Sequence, residues 1–402
     1  MGISVGYAQA KITPDISKTI YLAGFDRNRQ AEAIHDDLWV RVTALKSGKT
    51  ACKVLISCDL IGLGYLTCQI IRNLINSEVP KASILISCTH THHGPDTLGL
   101  WGPDMFTSGV DEAYLDWVIN TVAETALLAL ERLSPAKVRV AAVNVPGVVK
   151  NIRDPLIVDD EFIITQFQDL EGEPVVSWIN FACHPETLWK SNPLITADYP
   201  FFLRQAVEER LGGAAVFFPG ALGGMLTPDV NEHSFSEAER IGNKLASRAV
   251  LEIVGAEWLD DPIVNMESQT IHIPVKSPLL EEAMVNGLIS GVNWVDGYVE
   301  TRVSLLLLGN MALVGVPGEL LPKLGLWIKD FLITQKVATI SGIIGLADDE
   351  IGYIIPREDF VYPVDPFNPG QHYEETMSIG PDTSERVLEG VRRLVKSFKM
   401  VM

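Results

Sequence analysis

The sequence has few cysteines and no pattern that pairs them. Its five cysteines include no CxxC spacing, and an odd number cannot all pair within one chain. Three of them, Cys58, Cys88 and Cys183, end apolar runs, where small buried side chains are expected. We therefore expect free thiols in a reducing compartment and not a disulfide-stabilised scaffold.

Basic residues and long apolar runs are also scarce. The 402 residues include 32 lysines and arginines against 51 acidic residues, a net charge of −19, so nothing is expected to neutralise the phosphates of a nucleic acid. No apolar run approaches the ~20 residues needed to span a bilayer, and the N-terminus lacks the charged and apolar regions of a signal peptide. These absences predict a cytoplasmic protein with no nucleic-acid partner and no transmembrane segment.

Apolar runs alternate with amphipathic stretches along the whole chain, without a low-complexity linker or an internal repeat. The segments KVLISCDLIG, GYLTCQIIRNLINSE and ASILISCTHTH read as strand, helix and strand, a βαβ unit whose two strands should be parallel. Further along, Gly309-Asn310 suits a hairpin turn, and the irregular stretch from Pro356 to Gly370 is long enough to suggest a functional loop. We expect a single α/β domain over residues 1–402, with mixed sheets and flanking helices.

Polar side chains follow several of the strand-like apolar runs. Asp59, His90, His92, His184 and Glu319 each lie just after such a run. In open α/β sheets, ligands bind outside the carboxyl ends of strands, where loops from several strands meet. The sequence therefore predicts an active site at these strand ends.

The segment THTHHGPD carries the first metal-ligand candidates. On an extended segment, side chains two residues apart point the same way, so His90 and His92 should face one site and His93 should face elsewhere. The alternative is a pair of loop histidines that bind backbone carbonyls. Neither the HxHxDH pattern of metallo-β-lactamases nor the HExxH helix of zincins is present.

Three further candidates are weaker when each is taken alone. His184 follows a strand-like run and precedes a proline. Glu319 lies near a helix start, where an acid can simply complement the helix dipole. Tyr353 lies in GLADDEIGYIIP, among small residues, and has no meaning by itself.

Taken in order, the segments of this chain resemble the catalytic domain of the neutral/alkaline (non-lysosomal) ceramidase family. The resemblance rests on VGYAQAKITPD, AIHDDLWVRVTALKSG, VLISCDLIGL, THTHHGP, HPETLWKSNPLITADYP, GGMLTPD, VPGEL, GLADDEIGY and QHYEE. Several motifs in one order over most of a chain are far more specific than any one of them.

The resemblance implies a zinc ion held by four residues, which here are His90, His184, Glu319 and Tyr353. It also implies active-site roles for the second histidine of THTH, for an arginine in NIRDP and for the tyrosine of QHYE. Here those residues are His92, Arg153 and Tyr373.

The chain departs from the family pattern in two places. The family's Gly-Asp-(Val)-Ser-Pro motif, whose serine has been regarded as a nucleophile, reads Gly-Met-Leu-Thr-Pro over residues 224–228, so its acid is lost and its hydroxyl belongs to Thr227. This weakens a covalent mechanism and leaves hydrolysis by metal-activated water. The larger ceramidases also carry a C-terminal immunoglobulin-like domain, which residues 1–402 lack, and this puts a membrane-lipid substrate in doubt.

The resulting hypothesis is a zinc-dependent hydrolase that cleaves an amide bond of a small N-acylated substrate. Zn2+ would activate water, Tyr373 or Arg153 would stabilise the oxyanion, and His92 would carry a proton to the leaving amine. Asp59 and His35 are candidates for orienting the histidine ligands.

Two alternatives stay open at this point. The same metal could serve an esterase, lactonase or deacylase acting on a small soluble substrate. The altered segment over residues 224–228 would also suit a non-catalytic metal-binding protein, although structural zinc sites favour closed sets of cysteine and histidine. The residues Trp101, Met105, Phe106 and Trp189 suggest an apolar binding surface, but such residues are more often simple core.

Overall fold

A computed structural model describes residues 2–401 of the chain. The helices are α1 (Tyr65–Glu78), α2 (Glu112–Glu131), α3 (Tyr199–Leu211), α4 (Phe235–Gly255), α5 (Pro278–Val285), α6 (Pro322–Thr334), α7 (Tyr373–Thr376) and α8 (Thr383–Val401). The strands are β1 (Ile3–Lys11), β2 (Ala33–Ile34), β3 (Trp39–Ser47), β4 (Lys53–Cys58), β5 (Ser83–Cys88), β6 (Ser134–Asn144), β7 (Val149–Asn151), β8 (Glu161–Asp169), β9 (Pro174–Phe181), β10 (Leu194–Ile195), β11 (Ala214–Pro219), β12 (Leu226–Pro228), β13 (Val264–Pro274), β14 (Trp294–Val295), β15 (Tyr298–Leu308), β16 (Met311–Gly315), β17 (Glu319–Leu320), β18 (Ile340–Ile344) and β19 (Tyr353–Ile354).

The first large sheet has eight strands in the order β11-β9-β8-β6-β1-β3-β4-β5. Its neighbours are antiparallel except for the pairs β4–β5 and β9–β11, which are parallel. The predicted βαβ unit is confirmed, because α1 connects β4 to β5 and places Cys58 opposite Cys88 in register. This sheet is therefore mixed, as expected.

The second sheet has the order β13-β15-β16-β18, with the short strand β14 beside β15. The predicted hairpin at Gly309-Asn310 is confirmed, since β15 and β16 pair in antiparallel fashion on either side of it. Gly309 has a positive φ of 58°, which a glycine adopts at little cost. Helix α6 then connects β16 to its parallel neighbour β18, which is a second βαβ unit.

The two sheets share one buried cluster. On β4, Leu55 belongs to this inner cluster together with Leu306 and Leu313 of the second sheet, whereas Val54 and Ile56 point away from it. This alternation is the period of two that a strand imposes on its side chains. Helices cover the outer faces: α1–α4 lie on the first sheet, and α6 and α8 on the second. The layers are thus helix, sheet, sheet and helix, and the predicted α/β class is confirmed.

Carboxyl ends of strands from both sheets meet at one place. The backbone N–H of Cys88, at the end of β5, donates to the carbonyl of Leu346, just after β18, at 3.3 Å. The N–H of Gly345 donates to the carbonyl of Pro219, the last residue of β11, at 2.9 Å. The loops that follow these strands are consequently held together.

The unpaired cysteines and the long late loop are both features that the sequence predicted. All five cysteines are unpaired, as predicted. Between Pro356 and Gly370 the chain is irregular apart from short 3-10 turns at either end, which confirms the predicted long loop. None of the helices within residues 2–401 is both long and apolar enough to span a membrane.

Candidate active site

Three buried histidines lie together at the joined strand ends. His90 follows β5 after one residue, His92 follows two residues later, and His184 comes three residues after β9. Each can offer one ring nitrogen, and these nitrogens all lie within 4.8 Å of one another. The ring centroids are 5.0–5.5 Å apart. Imidazoles this close are typical of a metal site.

The conformation that brings His90 and His92 together differs from the one predicted. His90 has a φ of 69°, in the left-handed region, so the THTH segment is not extended. A strained backbone of this kind costs on the order of 1–3 kcal/mol and persists where the surroundings fix it. The backbone N–H of His90 donates to Leu60, and its ring Nδ1 lies 2.6 Å from the carbonyl oxygen of Ile61.

His184 is fixed by the segment over residues 224–228. Its backbone N–H donates to the carbonyl of Leu226 at 2.8 Å, and its ring Nδ1 lies 3.0 Å from the same oxygen. An Nδ1–H that donates to a carbonyl leaves Nε2 with its lone pair free. This segment thus orients His184 through the backbone carbonyl of Leu226.

Glu319 faces the histidines instead of serving the neighbouring helix. Its Oε2 lies 2.9 Å from Nε2 of His184 and 3.6 Å from Nε2 of His90. Helix α6 begins at Pro322, and its N-cap, Leu321, makes no side-chain hydrogen bond. The structure therefore gives no support to the alternative in which Glu319 only complements the dipole of the helix.

Tyr353 lies directly beside Glu319. The two residues are register partners in the parallel pair β17–β19. The Tyr353 side chain is buried, and its hydroxyl lies 3.5 Å from the sulfur of Met225. Burial, together with the charge of Glu319, raises the pKa of the Tyr353 phenol well above its usual range, so only a nearby cation would ionise it.

The electrostatics of the cluster reflect burial and close charges. Burial, followed by the neighbouring imidazoles of His90 and His184, lowers the pKa of His92 well below its usual range. Burial opposes ionisation of Glu319 too, but His90 and His184 outweigh it and lower the Glu319 pKa. Burial lowers the pKa of His184, but the hydrogen bond to Glu319 and the charge of Glu186 outweigh it and raise that pKa to about 9. A metal ion bound between His184 and Glu319 would therefore have to displace the proton of the imidazole.

Glu186 is a member of the site that the sequence did not reveal. It is 1 % exposed, and its Oε2 lies 3.4 Å from Nδ1 of His92. Burial raises the Glu186 pKa, and the side chains of His184 and Thr227 offset part of that rise. The only signal in the sequence was an acid two residues after His184.

Arg153 and Tyr373 meet the site at its edge. The Arg153 guanidinium donates to Glu374 at 2.6 Å and to Glu375 at 2.7 Å, so it is tied to helix α7, which begins at Tyr373. The Tyr373 ring lies 6.3 Å from that of Tyr353, centroid to centroid. The structure thus connects Arg153 to the site through the turn that carries Tyr373.

Thr227 lies on β12, where its register partner is Lys150. It is 8 % exposed and is not among the residues that line the cavity beside the histidine cluster. Its side chain lies instead beside Glu186. This position does not present the hydroxyl to a substrate in the cavity.

The prediction that Asp59 and His35 orient the histidine ligands is wrong. Asp59 accepts two hydrogen bonds from the Arg204 guanidinium, at 2.7 and 2.8 Å. His35 lies 2.7 Å from Asp36 and stacks on Phe235. Backbone carbonyls orient the ligands instead, and sequence patterns do not reveal a carbonyl's direction.

A cavity of about 740 Å³, counted with its open mouth, lies against the histidine cluster. His90, His92, Glu319, Tyr353 and Tyr373 line one part of it. The rest of its wall is mainly apolar and includes Ile61, Leu98, Trp101, Leu280, Met284 and Ile351. The arrangement places polar reacting groups at the end of a pocket suited to a hydrocarbon group.

Of the four residues predicted to form an apolar binding surface, one lines this cavity. Trp101 does so, and its loop is held by Asp96, which accepts the N–H groups of Gly99 at 2.7 Å and Trp101 at 2.9 Å. Met105 and Phe106 are exposed outside it, and Trp189 stacks on His233. The cavity also has an acid that sequence analysis missed, Glu350, whose Oε2 has no hydrogen-bond partner within residues 2–401.

The residues of the cluster fit a single divalent cation. Zn–N and Zn–O bonds of about 2.0–2.2 Å at tetrahedral angles put ligand atoms roughly 3.3 Å apart. The separations of 2.9 and 3.6 Å from Glu319 to the two Nε2 atoms lie on either side of that value. Both ring nitrogens of His92 also lack a hydrogen-bond partner in the described part of the chain.

The comparisons with known proteins support the fold. No protein-family model matches the chain. The neutral ceramidase from Pseudomonas aeruginosa superposes with a TM-score of 0.81, at 15% identity, over 99% of this chain and 75% of that one. A structure described as a ceramidase complexed with C2 gives a TM-score of 0.82, also at 15% identity, over 100% of this chain and 76% of that one. Over nearly its whole length, the chain is thus similar in fold to neutral ceramidase.

Proposed function

We propose that this protein is a zinc-dependent hydrolase that cleaves an amide bond of a small N-acylated substrate. One observation carries the proposal: the nitrogens of three buried histidines converge beside a carboxylate at the polar end of an apolar cavity. The ceramidase-like fold supports the choice of an amide bond over other bonds. The free cysteines are the basis for placing the activity in the cytoplasm.

His90, His184 and Glu319 would hold the metal, with Tyr353 as the fourth ligand. The Nδ1 atoms of both histidines are occupied by carbonyls, which directs each Nε2 towards Glu319. Zinc bound there would acidify a coordinated water and polarise the carbonyl group of the substrate. Tyr353 is supported by its register pairing with Glu319.

His92 is the proposed proton carrier to the leaving amine. It lines the cavity, whereas Glu186, 3.4 Å from its Nδ1, does not. The competing assignment makes His92 a third imidazole ligand. A His92→Ala variant separates the two: we expect a full equivalent of zinc with hydrolysis reduced about 100-fold or more, and loss of the zinc would favour the three-histidine set.

Tyr373 and Arg153 would act on the carbonyl side of the reaction. Tyr373 lines the cavity and can donate its hydroxyl to an oxyanion. Arg153 would contribute by holding helix α7 through Glu374 and Glu375. Thr227, the other catalytic candidate, is buried beside Glu186, which favours water over Thr227 as the nucleophile.

The test is a matched substrate panel with metal-free and zinc-loaded protein. It contains N-acyl amines, esters and lactones that share one medium-length acyl chain. We expect zinc-dependent release of amine from the N-acyl compounds, with a higher kcat/KM than for any ester or lactone. A preference for esters or lactones would replace the amidase with the corresponding hydrolase, and zinc binding without hydrolysis of any compound would favour a non-catalytic metal protein.

A further inference from the structure

Glu186 is a buried carboxyl that the reaction described above does not use. Resting on the proposed function, we infer that Glu186 is a positioning residue that holds the His92 imidazole through Nδ1.

The burial of the two partners supports a direct interaction between them. Glu186 is 1 % exposed and His92 is 6 % exposed. Neither ring nitrogen of His92, and neither carboxylate oxygen of Glu186, makes a hydrogen bond of normal geometry within residues 2–401. A buried polar atom left without a partner costs about 1–3 kcal/mol, so each of these groups is the natural partner of the other.

A hydrogen bond between His92 and Glu186 needs only a small shortening of their separation. Nδ1 of His92 and Oε2 of Glu186 are 3.4 Å apart, a few tenths of an ångström beyond a normal N–H···O bond. Hydrogen bonds in enzyme active sites are often long in the free protein and shorten when the site is loaded. The backbone already links the segments, because the N–H of His92 donates to the carbonyl of Pro185, next to Glu186, at 3.2 Å.

The position of each group relative to the cavity defines its role. His92 lines the cavity, whereas Glu186 and Thr227 do not. Glu186 therefore acts through His92 and not on a substrate. An Nδ1–H held by the carboxylate leaves Nε2 as the acceptor, which is the tautomer that a proton carrier in this place requires.

The surroundings of His92 restrict its ring in the same orientation. The ring meets Phe25 edge-on at a centroid distance of 4.8 Å. Gly24 lies so close that a methyl group there would be 2.3 Å from the ring. With packing on these sides and a carboxylate at Nδ1, a single ring orientation is favoured.

The experiment measures the tautomer of His92 and the kinetics in the same set of variants. Long-range proton–nitrogen NMR spectra of histidine-labelled, metal-free and zinc-loaded protein report which ring nitrogen carries the proton, with His92 assigned by its loss in His92→Asn. The variants are Glu186→Met, which removes the acceptor, and Glu186→Asp, which keeps it. Asp349→Asn is the matched control, since Asp349 is another buried carboxyl whose oxygen accepts backbone N–H groups elsewhere.

We expect His92 in the wild type to carry its proton on Nδ1. Glu186→Met should lose this preference and lower kcat about tenfold or more, as loss of a supporting partner does, with KM within about twofold and zinc content unchanged. Glu186→Asp should retain part of the Nδ1 preference and part of kcat, and Asp349→Asn should change neither.

A wild-type His92 protonated on Nε2, or a tautomer unaffected by Glu186→Met, would overturn the inference. The wild-type spectrum decides this even if Glu186→Met does not fold. If the wild type hydrolyses no substrate of the panel, the proposed function fails, while the tautomer measurement still decides the role of Glu186.

Discussion

Oε2 of Glu319 lies 2.9 Å from Nε2 of His184, although the two residues are 135 positions apart in the chain. His184 comes from the loop after β9 in the first sheet, and Glu319 from the segment after β16 in the second. The contact therefore exists only once both sheets are packed against each other. The proposed metal centre depends on this contact.

Removing either partner should empty the proposed metal centre. We expect His184→Ala and Glu319→Ala to weaken zinc binding by more than about 100-fold and to abolish hydrolysis, because each removes one of few ligands. His272→Ala is the control, since His272 is exposed and pairs with Glu300 outside the site. Zinc content by mass spectrometry, with thermal unfolding to confirm the fold, provides the measurement; full occupancy in either ligand variant would reject the assignment.

Gly24→Ala should disturb His92 without touching its chemistry. Gly24 has a φ of +100°, and an added Cβ would lie 2.3 Å from the His92 ring. Gly172 has the same φ of +100°, but nothing lies within 4 Å of an added Cβ there. Both variants should lose about 1–2 kcal/mol of stability from the backbone alone.

Only Gly24→Ala should also lower kcat, by about tenfold or more, because it displaces the ring. Denaturant titration and steady-state kinetics on both variants make the comparison. Equal activities in Gly24→Ala and Gly172→Ala would show that the position of His92 is not critical.

Arg153→Met should loosen the turn that carries Tyr373. The substitution leaves Glu374 and Glu375, which are 3 % and 0 % exposed, without their charged partner. Breaking a largely buried pair in this way costs about 3–5 kcal/mol, and we expect KM to rise as the cavity wall moves. Arg357→Met is the control, because Arg357 is an exposed partner of Asp382 and Glu385 and should change stability little. Similar unfolding free energies for both variants would contradict this account of Arg153.

Asp349 should make the stability depend on pH. Burial raises the pKa of Asp349 to about 7, and the N–H groups of Glu350 and Tyr65 that it accepts offset only part of the effect. The folded-state pKa is above the unfolded value. The stability that protonated Asp349 contributes is therefore complete below about pH 4 and is lost as the pH rises through 7.

Asp349→Asn removes the titrating carboxyl group and keeps the shape of the side chain. Between pH 4 and 7, the unfolding free energy of the wild type should therefore fall relative to the variant by up to about 1.4 kcal/mol per pH unit. Denaturant unfolding of both proteins at pH 5, 6, 7 and 8 tests this. Parallel curves for the two proteins would show that Asp349 is not protonated in the folded state.

Much of the fold follows from local patterns in the sequence. The buried strands β4 and β5 are continuous apolar runs, and α1 between them has polar and apolar residues at helical spacing, so both strands and their parallel pairing were predictable. Strands β1 and β3 were less evident. In β1, ISVGYAQAK contains glycine, alanine and glutamine, and the strand is defined by its partners β3 and β6.

The site was predictable only in part. His90, His92, His184 and Glu319 could be selected because they follow strands, and the structure brings them together. The left-handed backbone at His90 and the carbonyls that orient the rings depend on tertiary contacts, which local spacing does not encode. Asp59 was misassigned for the same reason, since its partner Arg204 lies 145 residues away.

The most direct test of the metal centre is anomalous diffraction at the zinc edge from crystals of the zinc-loaded protein. The account predicts one strong peak per chain, about 2.0–2.2 Å from Nε2 of His90, Nε2 of His184 and a carboxylate oxygen of Glu319. A peak bound by other side chains, or no peak among these three residues, would contradict it.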